Sequence, residues 1–302
     1  MERLGVIDLG TNTFHLLIVE PLAGGGFREL YRERRFIKLA EGGIHTIEAA
    51  AFRRGLAALR EYREVLSEYG VGQAKAFGTA ALRTADNGAE FIRQAEAETG
   101  IRVQLISGQE EARLIHLGVA QAVPFTLDKA LIMDIGGGSV EFIIADKERV
   151  FWAESFPVGV AVLRARFHRH EPIQPAEIEA IERLLDQVLQ PLSDALQIHE
   201  VNSLVGASGT FEVLESLLIR HKEHPLHAIF PVEQFFPLYE HIVSADEEER
   251  LRMEGIPESR VDMIVVALVL LRYVVRLAGI RQITVSAYAL KEGMLAEMIS
   301  GK

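Results

Sequence analysis

Short apolar stretches alternate with longer stretches of helical period along the chain, an order that predicts α/β architecture. Residues 4–7 and 16–20 read as strands joined by the polar turn Gly10-Thr-Asn-Thr13. Residues 47–69 space Ala, Leu and Val as a helix does and end at Gly70 and Gly72, a helix stop signal. A strand at 74–77, a helix at 89–98, a strand at 102–106 and a helix at 110–122 follow. Strands are then predicted at 131–135, 140–146 and 150–156, and helices at 160–167 and 175–196. Further strands fall at 203–205 and 283–286, with mostly helix between them. Residues 258–277 are apolar nearly all round, the pattern of a buried helix.

One pattern occurs twice. Val6-Ile-Asp8-Leu-Gly10-Thr-Asn-Thr-Phe-His15-Leu-Leu-Ile-Val-Glu20 aligns without gaps on Ile132-Met-Asp134-Ile-Gly136-Gly-Gly-Ser-Val-Glu141-Phe-Ile-Ile-Ala-Asp146. Each copy is an apolar strand, an aspartate, a Gly-containing turn with hydroxyl side chains, and a second apolar strand. Asp and Gly are common in turns, so one copy would say little. Two copies predict duplicated folds that face each other.

Composition narrows the chemistry. With 302 residues the chain fits two domains of about 100–200 residues each. The absence of cysteine excludes disulfide scaffolds, thiolate zinc sites, iron–sulfur clusters and cysteine nucleophiles. A net charge of −11 leaves no global basic field for nucleic acid. Two basic islands, Arg28 to Lys38 and Arg164 to His170, read as solvated surface charge. The N-terminus lacks the basic start and apolar run of a signal peptide, and no stretch approaches the ~20 apolar residues of a membrane span. A cytoplasmic protein with no membrane partner is expected.

A tight Gly-rich hairpin aims consecutive backbone N–H groups into one concavity, a nest for phosphate oxygens. Gly136, Gly137 and Gly138 have no Cβ to hold a phosphate off, and Ser139 adds a donor; Thr11, Asn12 and Thr13 offer the same from the other copy. Asp8 and Asp134, at the strand ends, are oxygen ligands of the kind Mg²⁺ takes beside phosphates. An alternative role for both is to cap their own turns.

These residues resemble the two phosphate motifs of the actin-like superfamily of sugar kinases, actin and heat-shock ATPases. Further segments resemble its exopolyphosphatase/guanosine pentaphosphate phosphatase (Ppx/GppA) branch. They are Thr79-Ala-Ala-Leu-Arg83, Ile106-Ser-Gly-Gln-Glu110-Glu111-Ala-Arg113, Gly206-Ala-Ser-Gly-Thr210 and Ser286-Ala-Tyr-Ala-Leu-Lys-Glu292-Gly293, in family order with the two hairpins. The resemblance implies two actin-like (ribonuclease H-like) domains of mixed sheets flanked by helices, with the active site in the cleft between them. It places them at 1–123 and 124–289, with a C-terminal helix at 290–302 packing back on the first.

The resemblance implies that Glu111 orients or deprotonates the attacking water, with Glu110 structural. Glu141 would help hold metal or water beside Asp8 and Asp134, and Arg83 would grip phosphate. Gly209 and Thr210 would line the cleft where actin-like ATPases hold adenosine. The implied cofactor is Mg²⁺, with Mn²⁺ as the alternative, and a homodimer is a family expectation. One position departs from the family: it often carries arginine where this chain has His15, which implies a weaker, pH-dependent grip on the penultimate phosphates. From the absence after residue 302 of the helical domains of longer members, a preference for shorter chains or a small nucleotide is expected.

The implied reaction is release of terminal orthophosphate from polyphosphate, from guanosine pentaphosphate, or from both. A kinase using ATP and a non-catalytic sensor of guanosine polyphosphates are the alternatives.

Overall fold

A computed structural model describes residues 2–23 and 26–300. The first sheet contains β1 (Leu4–Leu9), β2 (Thr13–Pro21), β3 (Phe27–Phe36), β4 (Gln73–Gly78) and β5 (Val103–Leu105), in the order β3-β2-β1-β4-β5. The second contains β6 (Ala130–Ile135), β7 (Val140–Ala145), β8 (Val150–Phe156), β9 (Ser203–Ala207), β10 (His227–Pro231) and β11 (Gln282–Ser286), in the order β10-β11-β9-β6-β7-β8.

In each sheet a three-stranded antiparallel meander continues into two parallel strands. The sequence echo is thus an echo of topology, with β10 added antiparallel at one edge. Helices cover the sheets: α1 (Ala49–Glu68), α2 (Ala80–Thr84), α3 (Gly88–Thr99) and α4 (Gly108–Ala122), then α5 (Val160–Phe167), α6 (Pro175–Val188), α7 (Gln190–Ile198) and α8 (Gly209–Leu218). The last four are α9 (Phe235–Ser244), α10 (Glu247–Leu251), α11 (Ile264–Leu277) and α12 (Leu290–Ser300). This is the actin-like fold, two mixed sheets flanked by helices.

Strand parity decides where the chemistry goes. Side chains two apart share a face of a strand. Leu4 and Val6 of β1 belong to a central core with Ile132, Ile143, Leu114 and Met294, whereas Ile7 and Leu9 face an outer core with helix α1. Asp8 follows Leu4 and Val6 in parity, and Asp134 follows Ala130 and Ile132. Both aspartates therefore point into the layer between the sheets. His15, in step with Leu17 and Val19, and Glu141, in step with Ile143 and Ala145, point the same way.

Helices α4 and α12 fill that layer in direct contact with each other. A Cβ at Gly118 would collide with the Ala289 carbonyl oxygen and one at Gly293 with that of Leu114, so only glycine permits this crossing. Helix α12 also lies against β1. Residues 301–302 of the expected C-terminal helix lie outside the described residues.

Four local expectations need correction. The helix read over 175–196 is two, broken at Leu189, because Pro191 enters the first turn of α7 and lacks the N–H to continue α6. The helix read over 258–277 begins as a 3-10 turn at Glu258–Arg260, and α11 starts only at Ile264. Strand β10 falls where helix was expected. The first basic island is strand β3, and its arginines are paired rather than merely solvated, as in Arg32–Glu29 and Arg35–Glu33. The second island is paired also, through Arg164–Asp262 and His170–Glu177.

Candidate active site

The two repeated hairpins meet face to face. A Cβ at Gly137 would come within 2.7 Å of Asn12, and one at Gly138 within 2.8 Å of the Thr11 hydroxyl. Each turn is closed by the same bond, Gly10 N–H to Thr13 C=O at 3.1 Å and Gly136 N–H to Ser139 C=O at 3.0 Å. The register is also the same: Asp8 pairs with His15 across its hairpin, and Asp134 with Glu141. One cleft collects Asp8, Thr11, Asn12, Thr13 and His15 from the first hairpin and Asp134, Gly136, Gly137, Gly138, Ser139 and Glu141 from the second, together with Glu111, Gly209 and Thr210.

Arg83 stands apart from the cleft lining. Its guanidinium donates to the Ile106 carbonyl at 2.6 Å and lies 3.4 Å from Glu111 Oε2. Glu111 itself is 7% exposed. It occupies the first turn of α4, which Ser107 caps by accepting the Glu110 N–H, and the helix face that buries Ile115 and Gly118 turns it inward. Glu110 turns outward and pairs with Arg113. Ser139 and Ser155 hydroxyls, each at 2.7 Å, both donate to Glu141 Oε1. The Ser139 hydroxyl thus serves the carboxylate, which leaves backbone N–H groups as the donors that turn could offer a phosphate.

Burial of so many acids raises their proton affinity. Burial lifts the Asp8 carboxyl to about 7, with Lys291 pulling it back and Asp134 pushing it further. Burial lifts Asp134 to about 6 against a hydrogen bond from Ser208. Glu111 and Glu141 are likewise pushed up by burial, and each carboxylate destabilises charge on neighbouring acids while Arg83 opposes the rise. His15 goes the other way: burial, then Lys291, Arg34, Arg260 and Arg32, hold its pKa well below the usual imidazole value. The pH-dependent charge expected of His15 is therefore corrected. Its burial and the surrounding cations favour the neutral ring.

Among the described residues no three His, Asp or Glu side chains form a preformed metal cage. Mg²⁺ rarely uses one; it takes one or two carboxylates and fills its octahedron with water and substrate phosphate oxygens. The acids here fit that habit. They are hard oxygen donors beside two phosphate nests, and Asp8 Oδ1 is buried with no hydrogen-bond partner.

Several lining residues escaped the sequence reading. Lys38, Glu212, Arg260, Met263 and Lys291 all reach the cleft. Lys38 pairs with Asp262 at 2.8 Å and Arg34 with Glu212 at 2.7 Å, so side chains near the first hairpin meet partners from the second half of the chain. Lys38 and Ser208 also line the cleft and are the non-glycine residues with positive φ among the described residues. Such strain of about 1–3 kcal/mol gathers at functional sites. The only sequence signals were indirect, since Ser208 and Lys291 fall inside quoted motifs but carry no distinctive chemistry of their own.

Two facing actin-like hairpins around buried acids define the class of fold and cleft. The chain belongs to the Ppx/GppA phosphatase family, whose sequence profile matches residues 17–301. A crystal structure of an exopolyphosphatase from Cytophaga hutchinsonii is 39% identical, spans 99% of this chain and 98% of its own, and superposes with a TM-score of 0.95. That of an exopolyphosphatase-like protein is 25% identical, spans 98% of this chain and 97% of its own, and has a TM-score of 0.88. The Ppx/GppA enzyme of Aquifex aeolicus shares the fold at 23% identity, 98% and 99% coverage and a TM-score of 0.80. Among the described residues no helix is long and apolar enough to cross a membrane.

Proposed function

We propose that this phosphatase-family chain is an exopolyphosphatase-type hydrolase that removes terminal orthophosphate from polyphosphate with the help of Mg²⁺ or Mn²⁺. The 5′-terminal phosphate of guanosine pentaphosphate is a second target. The observation that carries this reading is Glu111, a buried carboxylate of raised proton affinity set against two opposed phosphate nests.

Glu111 orients a water and accepts its proton as the water attacks the terminal phosphorus. A carboxylate whose pKa is raised toward neutrality is a stronger base there than an exposed one. Arg83, bonded to it, fixes its orientation. The N–H groups of Gly137, Gly138 and Ser139 and of Thr11, Asn12 and Thr13 hold non-bridging phosphate oxygens where charge shifts during transfer. Asp8, Asp134 and Glu141 would hold the divalent cation, whose chemistry is to neutralise phosphate charge. The Ser139 and Ser155 hydroxyls keep Glu141 in place.

Phosphate release should be measured with Mg²⁺ from tripolyphosphate, long polyphosphate, guanosine pentaphosphate and ATP, beside Glu111→Gln. We expect release from polyphosphate and a loss of about a hundredfold or more in the variant. Turnover of ATP with transfer to an acceptor hydroxyl would replace this reading with the kinase one. Binding of guanosine polyphosphates without release from any compound would replace it with the sensor one.

A further inference from the structure

Lys291 has no part in the reading above. It sits in the first turn of α12, where the helix dipole disfavours a cation. It lines the cleft with its side chain only 12% exposed. Its ion-pair partner is the next residue, Glu292, at 3.2 Å. Neighbouring helical residues point apart, so this contact is a fold-back of the long lysine chain. Glu292 does not depend on it: the carboxylate also pairs with Arg32 at 3.3 Å and accepts the Ala289 N–H at 2.9 Å. A buried cation is thus held on a carboxylate that is already satisfied, free to swing toward a better anion.

Its position in the cleft is equally specific. Arg83 is the cation that acts on Glu111 and Glu141. Lys291, lining the cleft itself, bears on Asp8, Asp134, His15 and Glu212. The two cations serve different ends of one acid-lined cleft. Attack in line sends water in from the Glu111 side and leaves the rest of the substrate on the opposite side of the phosphorus.

We infer that Lys291 is a substrate-binding residue that leaves Glu292 to grip the phosphate next to the one being attacked. The inference rests on the proposed phosphohydrolase reading for the direction of attack. Lys291 also supplies there the charge that His15, neutral and flanked by cations, does not.

The test is Lys291→Met beside Lys291→Arg, with steady-state hydrolysis of tripolyphosphate and calorimetric binding of tripolyphosphate to protein also carrying Glu111→Gln. Losing one charged hydrogen bond to phosphate should raise KM and weaken binding by about 10- to 100-fold. We expect kcat to change by less than about threefold and Lys291→Arg to recover most of the affinity. Because Arg32 and the Ala289 N–H still satisfy Glu292, the melting temperature without ligand should move little; a merely structural lysine would give the reverse pattern. Unchanged binding and KM in Lys291→Met would overturn the inference, as would a loss confined to kcat. Should Lys291→Met not fold, Lys291→Gln in the same binding assay decides. If wild type binds tripolyphosphate through Lys291 yet releases no phosphate, this inference stands and the hydrolase reading falls. If wild type does not bind tripolyphosphate at all, both fall.

Discussion

The first and second hairpins share strand order, register, turn closure and the direction in which their key side chains point, yet His15 and Glu141, which occupy equivalent places, have opposite electrostatic fates. Glu141 lies among carboxylates and is pushed toward protonation, while two serine hydroxyls hold it in place. His15 lies among Lys291, Arg34, Arg260 and Arg32 and is pushed away from it. Duplication of a backbone therefore provides two phosphate nests, but the chemistry of each end is set by what the rest of the fold brings alongside. The second hairpin, with Glu111 and Arg83, forms an acidic end, the reacting one in the function proposed above. The first hairpin is bordered by cations suited to holding an anion.

The sharpest way to break this comparison is to neutralise the same position in each hairpin. Glu141→Gln should lower kcat about a hundredfold, because it removes a carboxylate from the reacting end and leaves two serine donors facing an amide. His15→Gln removes no charge, so it should cost about threefold or less in kcat/KM. Steady-state phosphate release from tripolyphosphate measures both. Equal losses would show that the two ends are chemically equivalent and that the contrast in their surroundings is without consequence.

A smaller effect is expected where the hairpins touch. Gly137→Ala places a methyl group against the Asn12 side chain, which must turn aside or push the hairpins apart. Because misplacement by an ångström is costly in phosphoryl transfer, kcat/KM should fall roughly tenfold with little change in melting temperature. An unaffected rate would mean that Asn12 moves freely and that the close approach is not needed.

The contrast between the hairpins was only half legible in the sequence. The echo itself was, because strand parity and the Asp-to-Gly spacing survive as letters: Asp8 and Asp134 were placed together before any coordinates. Glu111 was found through its motif, since its burial comes from α4 packing against α12 and the second sheet. The cations of the first end were not legible. Arg34 sits on β3, read as solvated basic surface; Arg260 sits on a 3-10 turn read as helix; Lys291 sits on a helix far along the chain. Strand pairing sets Arg34 opposite His15 and tertiary packing brings the others, so a histidine expected to carry a pH-dependent charge is held toward its neutral form. The Gly118–Gly293 crossing was invisible for the same reason, as its partners are backbone atoms of another helix.

The smallest predicted effect concerns stability and separates the two ends by proton uptake. Asp8, lifted by burial to about 7, keeps its proton in the folded chain at pH values where the unfolded chain, titrating near the ordinary value of 3.8, has lost it. Between those limits the folded state binds more protons than the unfolded one, so stability falls as pH rises and the contribution is lost on passing about 7. Asp134, at about 6, and Glu141 act with the same sign. His15, already neutral in the folded protein while the unfolded ring gains a proton below its ordinary value, acts oppositely on the acid side. Metal-free protein in chelator should therefore melt at lower temperature at pH 8 than at pH 6. Asp8→Asn, an amide that pays no ionisation penalty, should shrink that difference by roughly 3 °C, and His15→Gln, which removes the opposing uptake of a proton by the unfolded ring near pH 6, should widen it. Saturating Mg²⁺ should shrink it as well if the acids hold the ion, since a bound cation compensates the charge that burial penalises. A melting temperature in wild type that is flat across this range, or a slope unchanged by Asp8→Asn, would mean that the Asp8 carboxylate is hydrated in solution and does not share the buried environment that raises its proton affinity.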